Sequence, residues 1–167
     1  IPSPAIALYG IDNKIPTIMV TGSHIPEDRN GIKFNHPMGE ITKKDEEGIL
    51  SQSVDIDESL FDASGMLKNP PSLPPIETRA IKDYTARYSA FFGSDALMGL
   101  TLGVYQHSAV GRDTMVEVLE SLGAYVKPLA RSEQFIPVDT EAIRPEDEVL
   151  AKKWAIEGFD AIVSTDG

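Results

Sequence analysis

The chain of 167 residues has no cysteine, which excludes disulfides and thiolate metal sites and argues against a stapled secreted scaffold. It is also short of positive charge: 15 Lys and Arg stand against 26 Asp and Glu, for a formal net charge of −11. Such a surface repels nucleic-acid phosphates, so no nucleic-acid partner is expected. A phosphorylated small molecule would need a local group of cations or backbone N–H donors. No apolar run approaches the length of a bilayer span, so no membrane partner is expected either. Ile1 follows neither an initiating methionine nor a signal peptide, an abrupt start that reads as that of a fragment. No internal repeat is visible, and no Gly-x-Ser-x-Gly elbow is present. What is there suffices for a core: 41% hydrophobic and 25% charged residues fit one large domain or two small ones.

Punctuation by proline and glycine divides the chain. Ser3-Pro4 before Ala5, Ile6, Ala7 and Leu8 reads as an N-capped helix with proline at its first position, ending near Asp12-Asn13. Pro16 opens an apolar strand, Thr17-Ile18-Met19-Val20, and Asn30-Gly31 is a turn before a second strand at Ile32-Lys33-Phe34. Thr42 with Asp45 is a capping-box signature for a helix to about Gln52. Residues 55–75 are acidic and then proline-rich, Asn69-Pro70-Pro71-Ser72-Leu73-Pro74-Pro75, and form no regular helix or inner strand. They read as an extended connector, either an interdomain linker or a long surface loop.

From Glu77 to Phe91 a helix is expected, and then strands and helices alternate. Leu100 to Tyr105 mixes apolar residues with Thr and Gly. Met115, Val118, Leu119 and Leu122 share one helical face, stopped at Gly123. Ala124-Tyr125-Val126 starts a strand. Pro145 opens a helix carrying Val149, Leu150 and Trp154 and closed by Gly158, and Phe159–Ser164 is a last strand. Strand, helix and strand joined by short turns imply α/β structure, a parallel sheet covered by helices.

Chemistry concentrates in Thr21-Gly22-Ser23-His24-Ile25-Pro26, with Asn30-Gly31-Ile32-Lys33 behind it. A serine hydroxyl is a weak nucleophile that needs a base or a metal. His24 cannot simply serve Ser23, because neighbours on an extended segment point opposite ways. A serine hydrolase is therefore disfavoured. Taken alone, the pair is a capping serine beside a surface histidine, Lys33 is a solvated strand lysine, and Asp166-Gly167 is a turn. His107-Ser108-Ala109-Val110-Gly111-Arg112 joins a strand to a helix N-terminus, where anions can bind, but a plain capped βα turn is the preferred reading.

Together these runs resemble the α-D-phosphohexomutases, the phosphomannomutase and phosphoglucomutase family. Thr21–Pro26 looks like its phosphoserine loop, Thr-Ala/Gly-Ser-His-Asn-Pro. Ser3-Pro4-Ala5 looks like its Thr-Pro-Ala helix start, and the segment from Leu102 through Leu122-Gly123 like its second-domain βαβ opening. Ser164-Thr165-Asp166-Gly167 looks like the start of its metal loop, Asp-Gly-Asp-x-Asp-Arg. The resemblance implies mixed or parallel sheets in three-layer domains: residues 1–76 as the C-terminal part of a first domain, and 77–167 as a second, cut at the metal loop. It implies an isomerase, an intramolecular phosphotransferase interconverting hexose 1-phosphate and hexose 6-phosphate through a hexose 1,6-bisphosphate. Ser23 would carry the phosphoryl group, His24 orient substrate or loop, and Lys33 assist proton transfer or stabilise charge. Mg2+ would be held by Ser23 and Asp166 with ligands outside the chain, and the segment alone would be inactive. The expected compartment is the cytoplasm. Ile25 stands where the family has asparagine, which removes one amide from the loop. The competing reading is a noncatalytic sugar-phosphate-binding or interaction domain of the same fold.

Overall fold

Pro2, in extended backbone, leads into the first helix, α1 (Ser3–Asn13). Ser3 is not its cap: the cap position falls on Pro2, with no side-chain bond, and Pro4 sits inside the first turn. The shift costs no hydrogen bond, since a first turn leaves its amides free and Pro4 has none to lose. Lys14 ends α1 in the left-handed region at φ 56°, its N–H turned back to the carbonyls of Gly10 and Ile11. The computed structural model describes residues 1–22 and 28–166. They group into two compact units, Ile1–Glu40 with Arg79–Gly167, and Ile41–Thr78.

In the larger unit, β1 (Thr17–Thr21), β2 (Gly31–His36) and β3 (Gly39–Glu40) form an antiparallel sheet in that order. The register pairs Thr17 with Asn35, Met19 with Lys33 and Thr21 with Gly31. Buried Asn35 donates through Nδ2 to Thr17 Oγ1 at 3.2 Å, which satisfies a polar pair inside the sheet. His36 ends β2 opposite Gly39, with Pro37 and Met38 as the two-residue turn. Helix α1 packs against this sheet at close range. A Cβ on Gly10 would meet Thr17 Cγ2 at 2.7 Å, so the approach depends on glycine there.

The second sheet is parallel. Among the described residues it holds β4 (Thr101–His107) at its centre, β5 (Tyr125–Arg131) on one side and β6 (Ala161–Val163) on the other. Between them run α4 (Arg112–Ser121) and α5 (Pro145–Trp154) in chain order. Every residue of β4 from Leu102 to His107 is buried, as a central parallel strand requires. Leu102, Val104, Ala124 and Val126 meet Met115, Val116 and Leu119 of α4 on one face. On the other face Tyr105, Leu129, Val138 and Trp154 pack with Leu150 of α5. The architecture is therefore α/β, with a parallel sheet flanked by helices. Pro128 is tolerated inside β5 because that strand lies at the sheet edge, where a missing N–H leaves no neighbour unpaired. Gly123, at φ +93°, stops α4 as its sequence position predicts. Helix α3 (Arg79–Phe92) lies against α1, and the Arg79 guanidinium donates to Tyr9 Oη at 2.8 Å.

The smaller unit is built on local polar bonds. Thr42 and Asp45 form the capping box of α2 (Lys43–Leu50), with Thr42 N donating to Asp45 Oδ2 at 2.8 Å. Downstream, the Asp62 carboxylate accepts from Ser64 N, Ser64 Oγ and Met66 N at 2.8, 2.7 and 3.0 Å. These bonds, the Ser64 hydroxyl's first, hold its carboxyl below the usual carboxylate range. The proline-rich run takes no regular structure.

Candidate active site

The two sheets present different parts of the expected site. β1 ends at Thr21 and β2 begins at Gly31, so the strands bracket the serine motif. Ser23 and His24 themselves lie outside the described residues, together with Ile25, Pro26 and Glu27. Lys33 is exposed on β2, two register pairs from Thr21 and Gly31. Strand alternation puts it on the face of Asn35, away from Ile32 and Phe34.

The other part lies at the C-terminal edge of the parallel sheet. The connection after β4 runs to α4 on one face, while β6 is reached through α5 from the other. The gap between β4 and β6 is therefore a topological switch point, the place where α/β sheets open a crevice for ligands. Asp166 follows β6 at this edge. Its Oδ1 accepts from Thr140 N at 2.9 Å and also from Thr140 Oγ1. Ser164 Oγ donates to the Tyr105 carbonyl at 3.1 Å and ties the same segment to β4.

A magnesium ion needs several oxygen ligands. Among the described residues no group of three or more His, Asp or Glu side chains could hold a metal ion. Asp166 brings one carboxylate, already engaged by Thr140. The described residues do not by themselves make a magnesium site.

The turn from His107 to Arg112 differs from a simple capped turn. Gly111 takes the cap position of α4 and makes no side-chain bond. Ser108 instead accepts from Ile136 N at 2.8 Å, which pins the chain beyond β5. Arg112 Nη1 donates to the carbonyls of Ser132 and His107, at 2.8 and 3.3 Å.

An ion pair that the sequence reading missed stands beneath this edge. Arg144 Nε and Nη2 clasp Asp147 at 2.8 and 2.9 Å, and Tyr105 Oη donates to the same carboxylate at 3.2 Å. Arg144 directly precedes the helix and Asp147 is in its first turn, so an i,i+3 charge pair was the available signal. The Arg144 hydrogen bonds hold the Asp147 carboxyl below its ordinary value of 3.8. As pH falls, the unfolded carboxyl takes its proton first. The pair's stabilisation is thus complete above pH 3.8 and lost on acidification through the lower folded value. Asp147→Asn is expected to lower stability at neutral pH and to flatten its acid limb below pH 3.8. Urea midpoints between pH 7 and pH 3 would show this; identical limbs in the two proteins would refute it.

The parallel sheet with helices on both faces and a topological switch point between β4 and β6 defines an α/β/α protein. Residues 1–59 match the family described as phosphoglucomutase/phosphomannomutase, alpha/beta/alpha domain I. Over 168 aligned positions the whole chain is 46% identical to a phosphomannomutase of Salmonella muenchen, 33% of whose length it covers. Over 171 positions, 99% of the chain is aligned at 44% identity with a phosphomannomutase of Sinorhizobium fredii, covering 35% of that protein. By these matches the chain is similar to the phosphoglucomutase/phosphomannomutase family. It spans about a third of the length of the curated relatives it matches.

Proposed function

We propose that this chain carries the phosphoryl-transfer serine of a phosphohexomutase that interconverts hexose 1-phosphate and hexose 6-phosphate. The observation that carries the reading is the Thr21–Pro26 motif within a chain 46% identical to a phosphomannomutase along its whole length. In this scheme phosphorylated Ser23 gives its phosphoryl group to the free hydroxyl of a hexose monophosphate. The P–Oγ bond breaks, a new P–O bond forms on the sugar, and the product is a hexose 1,6-bisphosphate. After the bisphosphate turns over in the site, the Ser23 hydroxyl accepts the phosphoryl group from the other position. The sugar leaves as the isomeric monophosphate and the phosphoserine is restored.

Phosphoryl transfer depends on positioning and on cations that offset charge on the equatorial oxygens. Lys33, exposed on β2, supplies one such charge, and His24 orients loop or substrate. The phosphoserine oxygen of Ser23 and the Asp166 carboxylate would together hold Mg2+ with ligands outside the chain, and the ion would offset charge on the transferring phosphoryl group. Residues 1–76 and 77–167 divide as parts of a first and a second phosphohexomutase domain. The acidic surface fits a partner set of sugar phosphates without nucleic acid, and a cytoplasmic location goes with such substrates.

The test is the mass of the Ser23 peptide from the full-length protein purified without phosphatase treatment. Phosphate is expected on Ser23, lost on incubation with excess hexose monophosphate and regained with hexose 1,6-bisphosphate. A noncatalytic sugar-phosphate-binding domain would show no such exchange.

A further inference from the structure

At the C-terminal end of β4, beside β5, the backbone is held in an uncommon shape. His107 closes β4 at φ +32°, a left-handed conformation that residues with a Cβ adopt only at a cost. Ala130, at φ +45°, lies beside it and precedes Arg131, the register partner of His107. The surroundings fix this conformation. Ser132 N and Arg112 Nη1 donate to the His107 carbonyl at 2.8 and 3.3 Å. The imidazole is fully buried, at 0% exposure, with its ring edge-to-face with Tyr105 at 5.0 Å.

One nitrogen of that ring has a clear task. Nε2 lies 3.0 Å from the carbonyl oxygen of Thr165. A carbonyl only accepts, so the proton sits on Nε2 and the neutral ring's Nδ1 is left as an acceptor. Nδ1 is buried and has no hydrogen-bond partner among the described residues. Burying an imidazole with one idle nitrogen is unfavourable compared with an apolar side chain of similar bulk. The bond made by Nε2 offsets that cost. Burial also depresses the affinity of the ring for a second proton, with Arg144 and Arg112 acting in the same direction against the Thr165 carbonyl and Asp147.

The bond falls on the residue before Asp166. Thr165 is gripped from β4 by His107, Ser164 from β4 through the Tyr105 carbonyl, and Asp166 from the 140 loop by Thr140. We propose that His107 is a positioning residue. Its Nε2–H bond to the Thr165 carbonyl sets where the Asp166 carboxylate stands beyond the C-terminal end of β6. The significance of that placement for turnover rests on the phosphohexomutase reading; the placement itself does not.

Two variants of the full-length protein separate these claims. His107→Asn tolerates the left-handed backbone but is too short to reach Thr165, whereas His107→Gln carries an N–H at the reach of Nε2. Hydrogen exchange at the Thr140 amide, which is donated to Asp166, reports the position of the carboxylate. In His107→Asn that amide is expected to exchange about tenfold faster, with the amides of β4 and α4 unchanged, and His107→Gln is expected to restore protection. In the enzyme, kcat should fall about tenfold in His107→Asn at unchanged KM and recover in His107→Gln. Should His107→Asn not fold, His107→Gly, which takes the left-handed backbone without cost, takes its place with the same expectation. Unchanged Thr140 exchange would overturn the proposal, as would acceleration spread over the whole parallel sheet. Local acceleration rescued by His107→Gln, in a protein whose unaltered form has no mutase turnover, would uphold the positioning role and refute the phosphohexomutase reading.

Discussion

Ser23→Ala in the full-length protein is expected to cut conversion of hexose 1-phosphate to hexose 6-phosphate by on the order of 10³-fold or more. The proposed reaction stores the phosphoryl group on the serine oxygen between turnovers. Alanine has no atom that can hold it, and Lys33 on β2 can stabilise charge but cannot substitute as that acceptor. Adding hexose 1,6-bisphosphate should not rescue the variant, because the bisphosphate regenerates activity only by phosphorylating Ser23. Ile25→Asn, which brings in the amide usual in the family, is expected to change turnover little. The assay is a coupled measurement of hexose 6-phosphate with catalytic bisphosphate present, alongside circular dichroism to confirm an intact fold. A Ser23→Ala protein within tenfold of the unaltered enzyme would mean that the phosphoserine assignment is wrong.

Trp154→Ala should carry the largest stability loss of any single truncation in the parallel-sheet core, about 3–5 kcal/mol. The side chain is buried at the end of α5, and its ring lies 5.2 Å from that of Tyr105. Tyr105 in turn stacks edge-on with His107 and donates to Asp147, so removing the indole opens the wall behind both. The cavity would be lined by Leu129, Val138, Leu150 and Phe159, which cannot close it without moving β5 or α5. Ile156, two residues on and exposed, is the control: Ile156→Ala should cost within about 0.5 kcal/mol. Because Trp154 is the single tryptophan, urea unfolding must be followed by circular dichroism rather than fluorescence. A loss under about 1 kcal/mol would show that α5 contributes little to this core.

Local sequence signals suffice wherever the deciding interaction lies within a few residues. The Thr42–Asp45 box, the left-handed glycine after α4 and the strands bracketing the serine motif follow from side chains acting on their own backbone. Ser3 failed as a cap because proline at position 2 already supplied the extended residue that begins α1. The last strand was read too long: of Phe159–Ser164 only Ala161–Val163 pairs with β4, since Ser164 turns its hydroxyl to the Tyr105 carbonyl. Leu100–Tyr105 looked half apolar, yet β4 is buried to its last residue because helices cover both faces.

The sequence by itself determined the α/β class, the position of most elements and the family resemblance, since periodicity, turn residues and the Thr21–Pro26 motif are written in consecutive residues. Tertiary structure alone decided the strand order β5-β4-β6, and with it the bonds that tie His107 to Thr165 and Thr140 to Asp166. His107 and Thr165 are 58 residues apart in the chain, and nothing near either one specifies the other. Only when β6 pairs with β4 does an ordinary histidine in a βα turn lose its water and gain a carbonyl. That exchange of solvent for a distant backbone group depends on burial, and burial belongs to the folded chain as a whole.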